Sequence, residues 1–134
     1  MLIGKINMVS TLKKTIVPLL KEQGFKGSFP HFRRITEKKI HLLTFQFDKY
    51  GGGFLMEVGV CPPDGYRKSK SEIIPPNKVT CYHLQNRARI TNNGDWFRYD
   101  KENNIGNIYE DVANEVISTI KEAETYWAKM GNSY

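Results

Sequence analysis

The sequence predicts an α+β fold: an antiparallel sheet of four to five strands, with the N- and C-terminal helices packed on one of its faces. Two observations carry this expectation. Apolar residues recur at helical spacing at both ends of the chain, as Ile6, Val9, Leu12, Ile16, Leu19 and Leu20, and again as Ile108, Val112, Val116, Ile120, Ala123, Trp127 and Met130. Between them, alternating apolar runs flank the triple glycine Gly51-Gly52-Gly53. Helices at the ends with strands between them place the helices on one side of a single antiparallel sheet.

The first helix runs from about Lys5 to Gln23, and Pro18 inside it predicts a kink or two short helices, because proline cannot donate to the carbonyl of Lys14. Gly24 suits a left-handed C-terminal cap that lets Phe25 fold back on the apolar stripe. Two strands follow, about Phe29–Ile35 and Ile40–Asp48, joined by the polar turn Thr36-Glu37-Lys38-Lys39. A third, Phe54–Cys61, follows the glycine turn. Facing Phe47 with Phe54 pairs Phe45 with Met56, Leu43 with Val58 and His41 with Val60 on one apolar face. The other face then carries Leu42, Thr44, Gln46, Leu55, Glu57 and Gly59, a mixture expected of a face open to solvent.

Residues 62–78 read as a long loop bounded by Pro62-Pro63-Asp64-Gly65 and Pro75-Pro76-Asn77, with the basic cluster Arg67-Lys68-Ser69-Lys70 inside it. A fourth strand lies within Thr80–Thr91, where Arg87 and Arg89 alternate with Ala88 and Ile90. Asn92-Asn93-Gly94-Asp95 makes a turn into a short fifth strand at Trp96-Phe97-Arg98-Tyr99. The last helix opens at Asn107, with Glu110 three residues on in the spacing of a capping box.

The chain has 134 residues, 40% of them hydrophobic and 25% charged, the balance of one globular domain. No apolar run is long enough for a membrane span, and the N-terminus lacks the pattern of a secretory signal, so a cytoplasmic location is expected. Cys61 and Cys81 form no disulfide framework. The net charge of +6 is uneven: residues 5–39 carry +7, residues 40–107 carry +2 and residues 108–134 carry −3. A basic N-terminal third fits either a solvated helix face or attraction to an acidic partner.

Four patterns of residues bear on chemistry. Nucleotide-binding, metalloprotease, nucleophile-elbow and Cys-x-x-Cys signatures are absent. A metal site built on Cys81 and His83, completed by His31 or His41, competes with the commoner role of a reduced thiol as a small core residue, so neither metal nor cofactor is expected. A Cys–His nucleophile lacks any activating neighbour. A carboxylate pair fails because no second acid lies close to Glu57.

The best lead is the mixed face, with Arg33, Thr44, Gln46, Glu57, Arg87 and Arg89 as candidate ligand-binding residues: guanidinium forks for anions, and Thr44 and Gln46 for orientation. The expected function is a non-enzymatic binding or protein-interaction module using this face and the 62–78 loop toward a protein or an anionic ligand. Self-association is a variant, because Ile35, Leu42 and Leu55 would gain from burial. Two other classes stay open. One is a small hydrolase or transferase acting on an anionic substrate through Arg87, Arg89, Glu57 and His83. The other is a single-stranded nucleic-acid binder, which rests on the basic charge and lacks exposed aromatics.

Several short motifs together resemble a family known as domain of unknown function 4304. They are Leu19-Leu20-Lys21-Glu22-Gln23-Gly24-Phe25-Lys26, Phe32-Arg33-Arg34, Phe45-Gln46, Gly53-Phe54 leading to Val58-Gly59-Val60, Arg87-x-Arg89 and Asp95-Trp96-Phe97, spread over about residues 10–127. The resemblance implies an α+β domain of bacterial origin and implies no particular activity, cofactor or substrate.

Overall fold

The computed structural model describes residues 2–101 and 107–134. Two helices, α1 (Leu2–Glu22) and α2 (Ile108–Lys129), enclose the strands in sequence order. The main sheet runs β1 (Lys26–Ser28), β2 (His31–Ile35), β3 (Ile40–Phe47), β4 (Gly53–Cys61) and β7 (Ala88–Ile90), and β8 (Phe97–Arg98) extends the β7 edge of β4; every pairing is antiparallel. The 62–78 segment is more than a loop. Tyr66–Arg67 (β5) and Ile73–Ile74 (β6) pair as a small hairpin of their own.

The central hairpin has the expected register, with Phe47 opposite Phe54, Phe45 opposite Met56, Leu43 opposite Val58 and His41 opposite Val60. Its apolar face joins Met8, Leu12, Ile16 and Leu20 of α1 and Val112, Val116, Ala123 and Trp127 of α2 in one core. Gly24, at a φ of 94°, ends α1: the Phe25 N–H bonds the Leu20 carbonyl at 3.0 Å, and the Phe25 ring reaches the core 5.1 Å from that of Trp127. Asn107 caps α2, its Oδ1 accepting from the N–H groups of Tyr109 and Glu110.

Two expectations for α1 are corrected. Of the kink or two short helices expected at Pro18, the two helices are corrected: α1 is one helix from Leu2 to Glu22. Pro18 and Lys14 both lie on the exposed side, where water can satisfy the freed carbonyl. The buried row is Met8, Leu12, Ile16 and Leu20, a strict four-residue repeat, and Ile6 is turned outward at 56% exposure. Ile6 and Leu19 sit at the flanks of this row rather than within it.

Polar groups lock the helical layer to the sheet. The Arg34 guanidinium forks onto Glu124 at 2.6 and 3.1 Å, donates to Nδ1 of His41 at 2.9 Å, and lies over the rings of Phe25 and Trp127. The buried Lys39 ammonium bonds the carbonyls of Trp127 and Met130 and Oδ1 of Asn132, and so caps the end of α2. The Trp127 indole N–H points at the carbonyls of Leu42 and Gly59, 3.3 and 3.1 Å away.

Candidate functional site

The second sheet face is not open, which corrects the expectation of a solvated mixed face. A segment leading from Val79 through a short 3-10 turn, Cys81–His83, to Leu84 lies across it. Val79, Cys81 and Leu84 form a second core with Ile40, Leu42 and Cys61. The turn also removes the geometry that would have placed Cys81 and His83 side by side on a strand. Because Leu42 and Leu55 are already buried, their burial no longer argues for self-association through this face.

The candidate residues sort into ranks across the sheet. Arg33 stands opposite Leu42, and Leu42 opposite Gly59, with Arg87 beside Gly59 at the β7 edge. In this rank both arginines hold the covering segment. Arg33 donates from Nε and Nη2 to the Val79 carbonyl at 3.3 and 3.0 Å, and Arg87 donates from Nη1 to the Cys81 carbonyl at 3.0 Å. Between them Leu84 packs onto Gly59, in space that any side chain there would fill.

The next rank is His31, Thr44, Glu57 and Arg89, each directly opposite the next across four strands. It runs along the margin of the covering segment. Glu57 is 1% exposed, yet each carboxylate oxygen meets an arginine: Oε1 the Nε of Arg89 at 3.3 Å, Oε2 the Nε of Arg87 at 3.5 Å. Thr44 is fully buried, and its hydroxyl lies 2.8 Å from Nδ1 of His31. Burial first, then the charge of Arg33 and the proximity of His83, lower the His31 pKa, so the ring is neutral at pH 7. Tyr82 leans edge-on against His31 at 5.4 Å, and the Arg87 guanidinium lies 5.3 Å from its ring centre.

Thr44, Glu57, Arg87 and Arg89 are thus brought together. Arg33 lies apart on β2, two strands from Glu57 and three from Arg89, and Gln46 sits one rank beyond, opposite Leu55, with its buried Oε1 lacking a partner among the described residues. Sequence reasoning weighed His31 only as a metal ligand and missed Tyr82. Extending the register through the Thr36–Lys39 turn would have placed His31 opposite Thr44, whereas Tyr82 lay in a segment read as a strand and carried no signal.

The rank pairs one buried carboxylate with two arginine donors. Burial pushes both thiols up to about 12, and neighbouring acids, Asp64 for Cys61 and Glu57 for Cys81, push the same way, so neither is a nucleophile at neutral pH. Cys81 instead donates to the Glu57 carbonyl at 3.3 Å. The His83 ring accepts the Thr80 N–H at 3.0 Å within its own turn. Among the described residues, no group of three or more His, Cys, Asp or Glu side chains is placed to hold a metal ion. What faces solvent is Arg89, with 60% of its side chain exposed, and Tyr82, 49% exposed.

The domain of unknown function DUF4304 matches residues 16–128, most of the chain and nearly all of the architecture described above. The chain belongs to the DUF4304 family. No curated protein and no solved structure matches it. The DUF4304 match takes in both arginine ranks, the covering segment and most of α2, and its description assigns none of them a role.

Proposed function

We propose that this DUF4304 protein is a bacterial, cytoplasmic, non-enzymatic binding module that takes an acidic group of a protein partner at Arg89. One observation carries the reading. Arg89 gives Nε to the buried Glu57 carboxylate, which fixes the plane of its guanidinium, and its two terminal nitrogens have no partner among the described residues. A guanidinium oriented by one bond, with its outer edge free, is prepared for a bidentate contact with a carboxylate. Arg87 also contacts Glu57, so the single buried negative charge meets two positive ones and the locality stays cationic. Tyr82, half exposed, lies against the Arg87 guanidinium and gives the locality one flat aromatic surface.

The test is a titration with a short glutamate-rich peptide, followed through the Arg89 Nε–H resonance and repeated with an oligothymidine strand. A saturable shift with the peptide, lost in Arg89→Ala, is the expected result. A peptide that leaves the resonance unmoved overturns the reading, and an equal or stronger response to the oligonucleotide transfers it to single-stranded nucleic acid.

A further inference from the structure

A separate cationic cavity lies at the other edge of the same face. It encloses about 200 Å³ and is lined by Gly24, Lys26, Arg33, Ile35 and Asn77. Lys26 and Arg33 are directly opposed on β1 and β2, so both side chains project to one face. Like charges placed opposite each other destabilise a strand pair unless something neutralises them. None of the lining residues is acidic, and neither Lys26 nor Arg33 forms an ion pair among the described residues. Arg33 commits Nε and Nη2 to the Val79 carbonyl, which holds its guanidinium in place, and Nη1 has no partner among the described residues. Asn77 completes the polar part of the wall.

We infer that this cavity binds a phosphate group carried as a monoester. Two cations side by side, one of them the held Arg33 guanidinium, match a dianion better than a carboxylate, and a phosphomonoester is mostly dianionic near neutral pH. The guanidinium and the ammonium can each reach a different phosphate oxygen, with the Asn77 amide available to a third. The volume accommodates a phosphate with a short stem, and Ile35, exposed at the rim, gives that stem an apolar surface. The end of α1 nearby does not oppose an anion strongly, because the Leu20 and Lys21 carbonyls already accept the N–H groups of Phe25 and Gly24. The site does not depend on Arg89, which stands across the sheet on β7.

The experiment is a titration of the full chain, followed by backbone and side-chain amide resonances, with inorganic phosphate, phenyl phosphate, a phosphoserine peptide and acetate at about pH 7.5. Saturable shifts centred on Asn77, Lys26 and Ile35 are expected with the three phosphates and not with acetate. Lys26→Glu changes an exposed residue and is expected to weaken phosphate binding by about tenfold or more, whereas Arg89→Ala is expected to leave it unchanged. Tighter binding of the phosphopeptide assigns the phosphate to a protein source, and equal binding of phenyl phosphate assigns it to small metabolites. An equal response to acetate, shifts spread over all the lysines without saturation, or an unchanged affinity in Lys26→Glu overturns the assignment.

Discussion

Leu84 packs onto Gly59 at the centre of the second sheet face, where the absence of a side chain on β4 lets the covering segment lie flat. Gly59→Ala is expected to push Leu84 aside and destabilise the protein by about 1–3 kcal/mol. Leu84→Ala alone opens a cavity instead, and the double variant should lose less than the two single losses added together. Denaturant unfolding of all three variants checks this. Strict additivity would mean that the two residues do not act on each other.

The apolar side of the central hairpin sets a larger effect. Phe45 is buried and contacts the rings of Phe29, Phe32 and Phe54. Phe45→Ala should cost on the order of 3–5 kcal/mol. Thermal and urea unfolding give the value, and a loss below about 1 kcal/mol would contradict the packing described.

Arg87 and Arg89 are two residues apart and should behave differently. Arg89→Ala removes an exposed partner of Glu57 while Arg87 remains, so stability should change by no more than about 1 kcal/mol. Arg87→Ala removes the donor to the Cys81 carbonyl as well as a contact to Glu57, and should cost about 1–3 kcal/mol. Comparing the two melting curves decides the matter. The reverse order would make Arg89 the structural residue.

Both cysteines should be inert while the chain is folded. Their thiols are buried and stay protonated well above neutral pH. A thiol-specific reagent should react at the rate of unfolding, and Gly59→Ala, by loosening the cover over Cys61 and Cys81, should accelerate it. Rapid labelling of the native wild type would show that the covering segment opens freely.

Acid should weaken the fold before its carboxylates titrate. His41 is stacked on Trp127, and its pKa is lowered from 6.5 to about 4, by burial first and then by the charges of Arg34 and Lys39; Glu124 acts in the opposite direction. Because Nδ1 accepts from Arg34, the proton of the neutral ring sits on Nε2, which has no partner among the described residues. As pH falls below about 6.5 the unfolded chain takes up a proton at this position that the folded chain refuses. Stability contributed by the neutral ring is therefore complete above that pH and is lost progressively down to about 4, with His31 adding to the loss in the same sense. The melting temperature should fall across this window, and His41→Gln should flatten much of the slope. An unchanged slope in that variant would place the titrating group elsewhere.

The parts of the fold that were legible in the sequence are those in which a periodic pattern ends at a residue with its own geometry. Alternation on both sides of Gly51-Gly52-Gly53 determines the pairing of Phe47 with Phe54 and, with it, the sides taken by Thr44 and Glu57. Arg87 and Arg89 followed from the same alternation. The covering segment was not legible, because Val79, Cys81 and Leu84 follow neither period and share a surface only once the chain has turned at Cys81–His83. The roles of Arg33 and Arg87 were hidden for a related reason: their acceptors are main-chain carbonyls of that segment, and side-chain chemistry does not announce them. In α1, Leu12, Ile16 and Leu20 suit two overlapping stripes, and only packing chooses Met8 over Ile6 as the fourth member.

Lys39 and Trp127 are separated by 88 residues, and the ammonium of the first is held by carbonyls at the end of the last helix. During synthesis Lys39 leaves the ribosome well before Trp127, Met130 and Asn132. Until they arrive the ammonium lacks these three acceptors and keeps its water, which favours the turn between β2 and β3 at the surface. Burying that turn therefore depends on the C-terminal end of α2 being present. A chain interrupted shortly before Trp127 would have its strands and most of its apolar residues, yet would carry a cation with nowhere to go, and quality control would meet it as an unfinished protein.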